Sequence, residues 1–208
     1  MIAPGDRLVN KGWIRFPTRL PDSCLTRLED LQPFDHRGQR LMDLDKVSKT
    51  LPNSIKTELH DLGYNPLPRR AVGFNKHQNQ NWSLPWHQDR IIQMVEKTDD
   101  PNLTHWTRKN NVWHCEPSAE RLAKIAFLYI AFDPMTTRTG QLELLERTHC
   151  HGKIKQTDIP QHIKTSRIAA PNLNRGEALF ITSLLLHRSS VNQSDQPRRA
   201  LRLDFEKY

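Results

Sequence analysis

Trp82-Ser83-Leu84-Pro85-Trp86-His87-Gln88-Asp89-Arg90-Ile91-Ile92 reads as a strand, and its centre decides the rest of the chain. In an extended strand, residues two apart share a face, so His87 and Asp89 point together while Gln88 points away. One imidazole beside one carboxylate is half of a metal site. A second histidine from a neighbouring strand completes a two-His-one-carboxylate triad, a ligand set that leaves positions open on Fe(II). The partner in this reading is His187, in Leu186-His187-Arg188-Ser189. A lone His-x-Asp is common on surfaces, so the weight falls on the residues downstream of His187.

Upstream of this stretch, Ala71-Val72-Gly73-Phe74-Asn75-Lys76 is a strand and His77 to Asn81 a polar turn. Downstream, residues 93–116 are polar, with Asp99-Asp100-Pro101-Asn102 as a turn signal, and are expected to form a long substrate-facing loop. Pro117 to Leu122 suggests a short helix. Lys124 to Asp133 is the clearest buried strand, apolar on both parities. Thr139-Gly140 turns into a strand at Gln141 to Leu145, and Glu146 to Arg167 reads as polar loop. Ala178 to Ile181, Leu184 to Ser189 and Arg198 to Phe205 complete the set. Many short strands separated by turns argue for a sandwich or jelly roll.

The first part of the chain is different. Residues 12–17 alternate like a short strand, Asp22-Ser23 can cap a helix carrying Leu25, Leu28 and Leu31, and a helical stretch over about 41–62 breaks near Pro52. Such helices are expected to cover one face of the strand-rich region. The predicted organisation is one domain over 1–208, with strand and helices in 1–70 and a jelly-roll core in 71–208.

Composition narrows the class. The 208 residues carry a net charge of +8, with 14 Pro and 8 Gly. No run approaches the roughly 20 apolar residues of a membrane span. The start, Met1-Ile2-Ala3-Pro4-Gly5-Asp6-Arg7, has no basic-then-apolar signal. Cys24, Cys115 and Cys150 are odd in number and lack CxxC spacing, which argues against structural zinc and a disulfide framework. A reducing cytoplasm is the expected location. The lysines and arginines are scattered, so the charge reads first as solvated surface and second as attraction to an anion.

Trp86-His87-Gln88-Asp89, Thr139-Gly140-x-Leu142 leading to Thr148-His149-x-x-Gly152, and His187-x-Ser189-x-x-Asn192 with Arg198 together resemble the phytanoyl-CoA dioxygenase family. The resemblance spans roughly residues 70–205 and implies a double-stranded β-helix (jelly-roll, cupin-like) core flanked by helices. It implies Fe(II) as cofactor, with 2-oxoglutarate and O2 as cosubstrates. His87, Asp89 and His187 match the iron ligands. Arg198, eleven positions after His187, matches the arginine holding the distal carboxylate of 2-oxoglutarate, and Ser189 the hydroxyl supporting it. An aspartate at position 89 favours hydroxylation over halogenation, which replaces it with a small residue. Where the family commonly has Pro-Gly-Ser-His, this chain has Glu146-Arg147-Thr148-His149.

Strand parity groups Arg198 with Ala200, Arg202 and Asp204, and Arg199 with Leu201, Leu203 and Phe205. Arg198 faces the cavity if the apolar parity packs outward against the N-terminal helices. Lys76, Asn81 and His114 fall where a cavity rim is expected; Lys76 and His114 are candidate substrate contacts. His149 and His151 form a second pair, assigned to loop support and surface. Trp82 and Trp86 are assigned to packing. The implied activity is hydroxylation of a C–H bond in a small molecule, favoured by the short chain, with an anionic or amino-acid-like substrate suggested by the basic charge. Competing readings are oxidative demethylation of nucleic acid, for which no aromatic-basic groove is evident, a silent jelly-roll binding protein, and a zinc hydrolase on the same ligands. Oligomeric state is not legible.

Overall fold

The computed structural model describes residues 3–31, 34, 37–41, 43–109 and 111–208. In chain order its elements are α1 (Pro4–Lys11), β1 (Trp13–Arg15), α2 (Asp22–Leu31), β2 (Gln39–Leu41), α3 (Leu44–Thr50), α4 (Asn53–Asp61), β3 (Arg70–Lys76), β4 (Leu84–His87) and β5 (Ile92–Met94). Then come β6 (Thr104–Lys109), β7 (Val112–Glu116), α5 (Ala119–Leu122), β8 (Ile125–Ala131), β9 (Leu142–Leu145), α6 (Ile159–Thr165), β10 (Ile168–Ala169), β11 (Ala178–Thr182), β12 (His187–Ser189) and β13 (Arg198–Glu206). A six-stranded sheet, ordered β1-β11-β8-β13-β3-β2, faces a four-stranded sheet, β10-β9-β12-β4, and a smaller sheet, β5-β7-β6, pairs with neither but packs Ile92 against Ile125. The strand pairs are antiparallel. This is the expected mainly-β jelly roll with flanking helices. No helix of the described residues is long and apolar enough to cross a membrane.

The large sheet has two buried faces. Leu128, Ile130, Phe180, Leu201, Leu203 and Phe205 pack outward with Leu25 and Leu28 of α2 and Ile55 and Leu59 of α4. Phe127, Tyr129, Leu144, Ile181 and Ala200 pack inward, between the sheets. β8 is buried at every position because alternate residues serve these two cores. The apolar parity of β13 therefore faces the helices, and Arg198, Ala200, Arg202 and Asp204 face the interior.

Several boundaries differ from the sequence expectation. The supposed loop 93–116 contains most of the third sheet: β5, β6 and β7 pair antiparallel, with a register shift between Thr104 and Thr107. Most of β6 is exposed, so it lacks the apolar alternation that marks a half-buried strand. The strand expected over 82–92 is two strands, β4 and β5, with Asp89 in the segment between them. The polar stretch 146–167 holds a 3-10 turn at Thr148–His151 and helix α6. Leu41 ends β2, and the helix begins at Leu44; Met42 lies outside the described residues. In α1, Pro4 opens the helix and Gly12 closes it at φ 83°, its N–H donating to Leu8 O.

Gly140 is required by its surroundings. Its φ is +74°, and a Cβ there would lie 2.4 Å from Ser190 O, just beyond the strand that carries His187. Gly140→Ala is expected to lose about 1–2 kcal/mol from the left-handed dihedral, with the backbone clash adding to it. A denaturant midpoint equal to that of the wild type would contradict this packing.

Candidate metal centre

β4 and β12 are neighbours, and His87 pairs directly with His187 across them. Their rings lie 4.3 Å apart, centroid to centroid. Each ring is fixed the same way: Nδ1 of His87 is 2.8 Å from Pro85 O, and Nδ1 of His187 is 2.9 Å from Leu185 O. An Nδ1–H donated to a carbonyl leaves the Nε2 lone pair for a metal. Burial, and then the charge of His187, lower the pKa of His87, which keeps its ring neutral near neutral pH.

Asp89 joins from beyond the strand end. Its backbone N–H donates to Ser183 O at 3.0 Å, and Ser183 is held in turn by its own hydroxyl on Leu122 O. One donor atom from each of His87, Asp89 and His187 lies within 4.8 Å of the others. Asp89 Oδ2 is 3.2 Å from His187 Nε2 and 2.6 Å from Arg202 Nη1. Burial would raise the Asp89 carboxyl, but Arg202 foremost, then His187 and His87, hold it well below the usual carboxylate range. It is ionised, and the oxygen that faces His187 is the one held by Arg202.

The remaining family-motif residues hold this frame. Gln88 points away from the cluster: its amide donates to Gly152 O and Leu184 O and accepts from Ile154 N–H. The Thr148 hydroxyl accepts from Leu186 N–H and donates to Leu145 O, fixing the chain just before His187. Asn192 and Asn81 clasp each other, Asn81 donating to Asn192 O at 2.7 Å and accepting from Asn192 N–H at 2.9 Å. Asn192 also donates to Lys76 O. His149 bonds Val9 O rather than the cluster, and His151 is exposed. Trp82 and Trp86 are buried.

Deeper between the sheets lies a second group. Arg198 is opposite Lys76 in register, and both are essentially inaccessible to solvent, at 1% and 0% exposure. Lys76 Nζ donates to Ser189 Oγ at 2.9 Å and Ser190 O at 2.6 Å. Arg198 donates to the Tyr129 hydroxyl, and among the described residues its Nε has no partner. Among the described residues neither cation has a carboxylate. Burial, followed by the charges of Arg198 and Arg37, brings Lys76 down to about 7. Two buried cations side by side, one with an unused N–H, suit an anion.

Two expected rim residues are therefore elsewhere. Lys76 is not at a rim: it lies on the inward parity of β3, and its pairing with β13 carries it inside. His114 lies on the middle strand of the third sheet, 3% exposed, and belongs to neither group. Sequence reasoning also passed over Arg202. Its guanidinium bonds Asp89 and, through Nε at 2.6 Å and Nη2 at 3.2 Å, Asp204, and it lies 4.0 Å from the Phe127 ring centroid. Arg70 completes the row, 2.7 Å from Asp204. The signal was present: Arg202 and Asp204 are opposite charges on the inward parity of one strand.

A model of the family "Phytanoyl-CoA dioxygenase (PhyH)" matches residues 31–200. The chain belongs to that family. Its members are Fe(II)- and 2-oxoglutarate-dependent oxygenases, and the donor set at His87, Asp89 and His187, with the buried cations Arg198 and Lys76, fits those two groups. No curated protein matches it by sequence. Among solved structures, AviO1 from Streptomyces viridochromogenes Tue57 is 14% identical with a TM-score of 0.66, covering 98% of this chain and 93% of that one. EctD from S. alaskensis in its apoform is 12% identical with a TM-score of 0.68, covering 99% and 77%. The epimerase SnoN in complex with Fe3+, alpha ketoglutarate and nogalamycin RO is 12% identical with a TM-score of 0.67, covering 98% and 82%. At these identities the likeness concerns the fold.

Proposed function

We propose that this protein is an Fe(II)- and 2-oxoglutarate-dependent dioxygenase that hydroxylates a C–H bond of a small, anionic or amino-acid-like metabolite. The observation that carries the reading is the placement of two unlike groups between the same two sheets: Lys76, opposite Arg198, bonds Ser189 of the strand that also carries His187. A neutral-imidazole and carboxylate cluster suits a divalent metal, and an uncompensated pair of buried cations suits a carboxylate beside it. A zinc hydrolase explains the first and has no use for the second.

In this reading His87, Asp89 and His187 hold iron, with Asp89 keeping one oxygen on Arg202. Arg198 takes the distal carboxylate of 2-oxoglutarate in its guanidinium fork, Lys76 adds charge, and the Ser189 and Tyr129 hydroxyls fix the orientation of both cations. Ala200, between Arg198 and Arg202 on the inward face, leaves room for the cosubstrate's methylenes. Iron with 2-oxoglutarate and O2 supplies the oxidant that breaks the C–H bond. The protein's work is to bind, orient and exclude water, and Phe127, Phe74 and Leu144 supply an apolar wall. Asp89 retains a third protein ligand, which favours hydroxylation. SnoN is described as an epimerase, so product analysis has to distinguish hydroxylation from epimerisation.

The test is an anaerobic titration of the Fe(II)-loaded protein with 2-oxoglutarate, read by the weak visible charge-transfer band. Arg198→Met is expected to raise the 2-oxoglutarate Kd by about 30-fold to several thousand-fold, since losing one partner of a buried charge pair costs about 2–5 kcal/mol. Lys76 adds a pH dependence. A neighbouring carboxylate favours its protonated form, so binding takes up a proton above about 7. Affinity is full below that pH and falls as pH rises, by at most about tenfold per unit. Lys76→Met removes the drift. No band from iron-loaded wild-type protein would defeat the cosubstrate assignment and leave a metal-binding or silent jelly roll.

A further inference from the structure

Beyond the metal cluster, on the side away from Arg198, the inward face carries a row of charge that neither iron nor 2-oxoglutarate uses. Arg40 pairs with Val72, and Val72 with Arg202, so these three share one cross-strand row. Arg70 and Asp204 pair in the next inward row and lead to Phe127. Arg40 and Arg70 are thus diagonal neighbours on one face, within reach of each other's long side chains. β5 packs against this end: Ile92 and Gln93 line a small cavity together with Arg70, Ile125 and Asp204, and with Arg69 and Glu206, which pair with each other at 3.0 Å. His114 is the cross-strand partner of Gln93.

The hydrogen bonding here is incomplete. His114 is 3% exposed, and among the described residues neither ring nitrogen has a well-aligned hydrogen-bond partner. Arg70 Nε is likewise buried and unpartnered. Arg40 has no ion pair among the described residues, whereas Arg70 is paired with Asp204, and Arg202 with Asp89 and Asp204. Buried polar groups without partners are uncommon, and each calls for an explanation. Burial first, then the charge of Arg40, lower the pKa of His114 against an opposing contact with the Val112 backbone, and Arg70 adds to the lowering. Arg40, Arg69, Arg70 and Arg202 face Asp89, Asp204 and Glu206, which leaves one positive charge in excess at Arg40.

We infer that Arg40, Arg70 and His114 form the subsite that binds a carboxylate of the primary substrate, holding the molecule by its acid end so that a carbon nearer Asp89 and His187 is presented for reaction. The inference rests on the proposed oxygenase reading, which makes the ligand at this end the substrate rather than the cosubstrate. A single uncompensated charge suits a monoanion, so the chemistry favours a carboxylate over a phosphate dianion. The fork of Arg40 matches its planar geometry, and a neutral His114 ring can donate to one oxygen.

Hexanoate and hexanamide are the probes. Protein labelled on its histidine rings is loaded with Zn(II) in place of iron and saturated with 2-oxoglutarate, so that the probe cannot enter the cosubstrate pocket. The His114 ring signals are assigned by their loss in His114→Gln. Hexanoate is expected to move them saturably and hexanamide to leave them in place. Arg40→Gln is expected to weaken hexanoate at least tenfold, with Arg40→Lys recovering part of the loss. Unchanged His149 ring signals verify that the variants are folded. Equal shifts from acid and amide, no shift from either, or an Arg40→Gln affinity equal to that of the wild type would overturn the subsite. The Fe(II) and 2-oxoglutarate band of the wild type is scored separately. Its absence defeats the oxygenase reading, whereas a band without a hexanoate response defeats only the subsite.

Discussion

His187→Ala is expected to abolish iron binding and, with it, the 2-oxoglutarate charge-transfer band. The substitution removes one of three donors gathered within 4.8 Å. Removing only an outer partner of a metal ligand typically costs about 10- to 100-fold in affinity, and losing a direct ligand is expected to cost more. The remaining His87 and Asp89 come from one short segment and cannot close around an ion from the opposite strand. His149→Ala is the control. That ring bonds Val9 O and stands outside the cluster, so metal affinity is expected to stay within about threefold, because sites without shared partners act independently. Iron content after desalting, or Mn(II) titration by calorimetry, reads both. Retained binding in His187→Ala would remove this histidine from the metal site.

The parts of this architecture that depend on local pattern were legible in the sequence. Lys124 to Asp133, apolar on both parities, is β8, buried at every position. Arg198 to Phe205 falls in β13, and its apolar parity packs against the helices, as the helix-covered sheet of the resembled fold implied, although alternation alone would have put that parity inward. The third sheet was not legible because Thr104 to Lys109 is mostly exposed; backbone pairing with β7, rather than apolar alternation, makes it a strand. The His-x-Asp spacing singled out two residues that the structure does bring together, by an incomplete argument. The strand ends at His87, and the backbone bond from Asp89 to Ser183 places the carboxylate.

Lys76 shows where pattern runs out. Nothing near residue 76 indicates that the residue will lie opposite Arg198, because that register is set by a pairing between distant strands. A lysine at the end of a strand before a polar turn looks like surface. Its burial emerges only when β3 lies beside β13, and the pair of buried cations emerges with it. The same holds for Arg40 and His114, which come from separate sheets.

Arg202→Met is expected to destabilise the metal-free protein by about 3–5 kcal/mol, the usual consequence of removing one partner from a buried ion-pair network. In the wild type, Arg202 and Arg70 stand against Asp89 and Asp204, joined by contacts of 2.6–2.7 Å. The network is neutral as a unit. Without Arg202, Asp89 loses its guanidinium partner, and Asp204 keeps only Arg70. A methionine fills the volume over Phe127 but supplies no charge, so the loss is electrostatic rather than a matter of packing. Against a typical total stability of about 5–15 kcal/mol, this is a large fraction, and it should appear as a lower urea midpoint with little change in slope. A divalent metal offers a diagnostic rescue. Bound at Asp89, it restores positive charge beside the carboxylate that Arg202 had neutralised, so saturating Zn(II) should narrow the gap between variant and wild type. A gap that stays constant with metal would mean that Arg202 supports Asp204 and the sheet alone. Equal midpoints without metal would mean that the guanidinium carries no net stabilisation at Asp89.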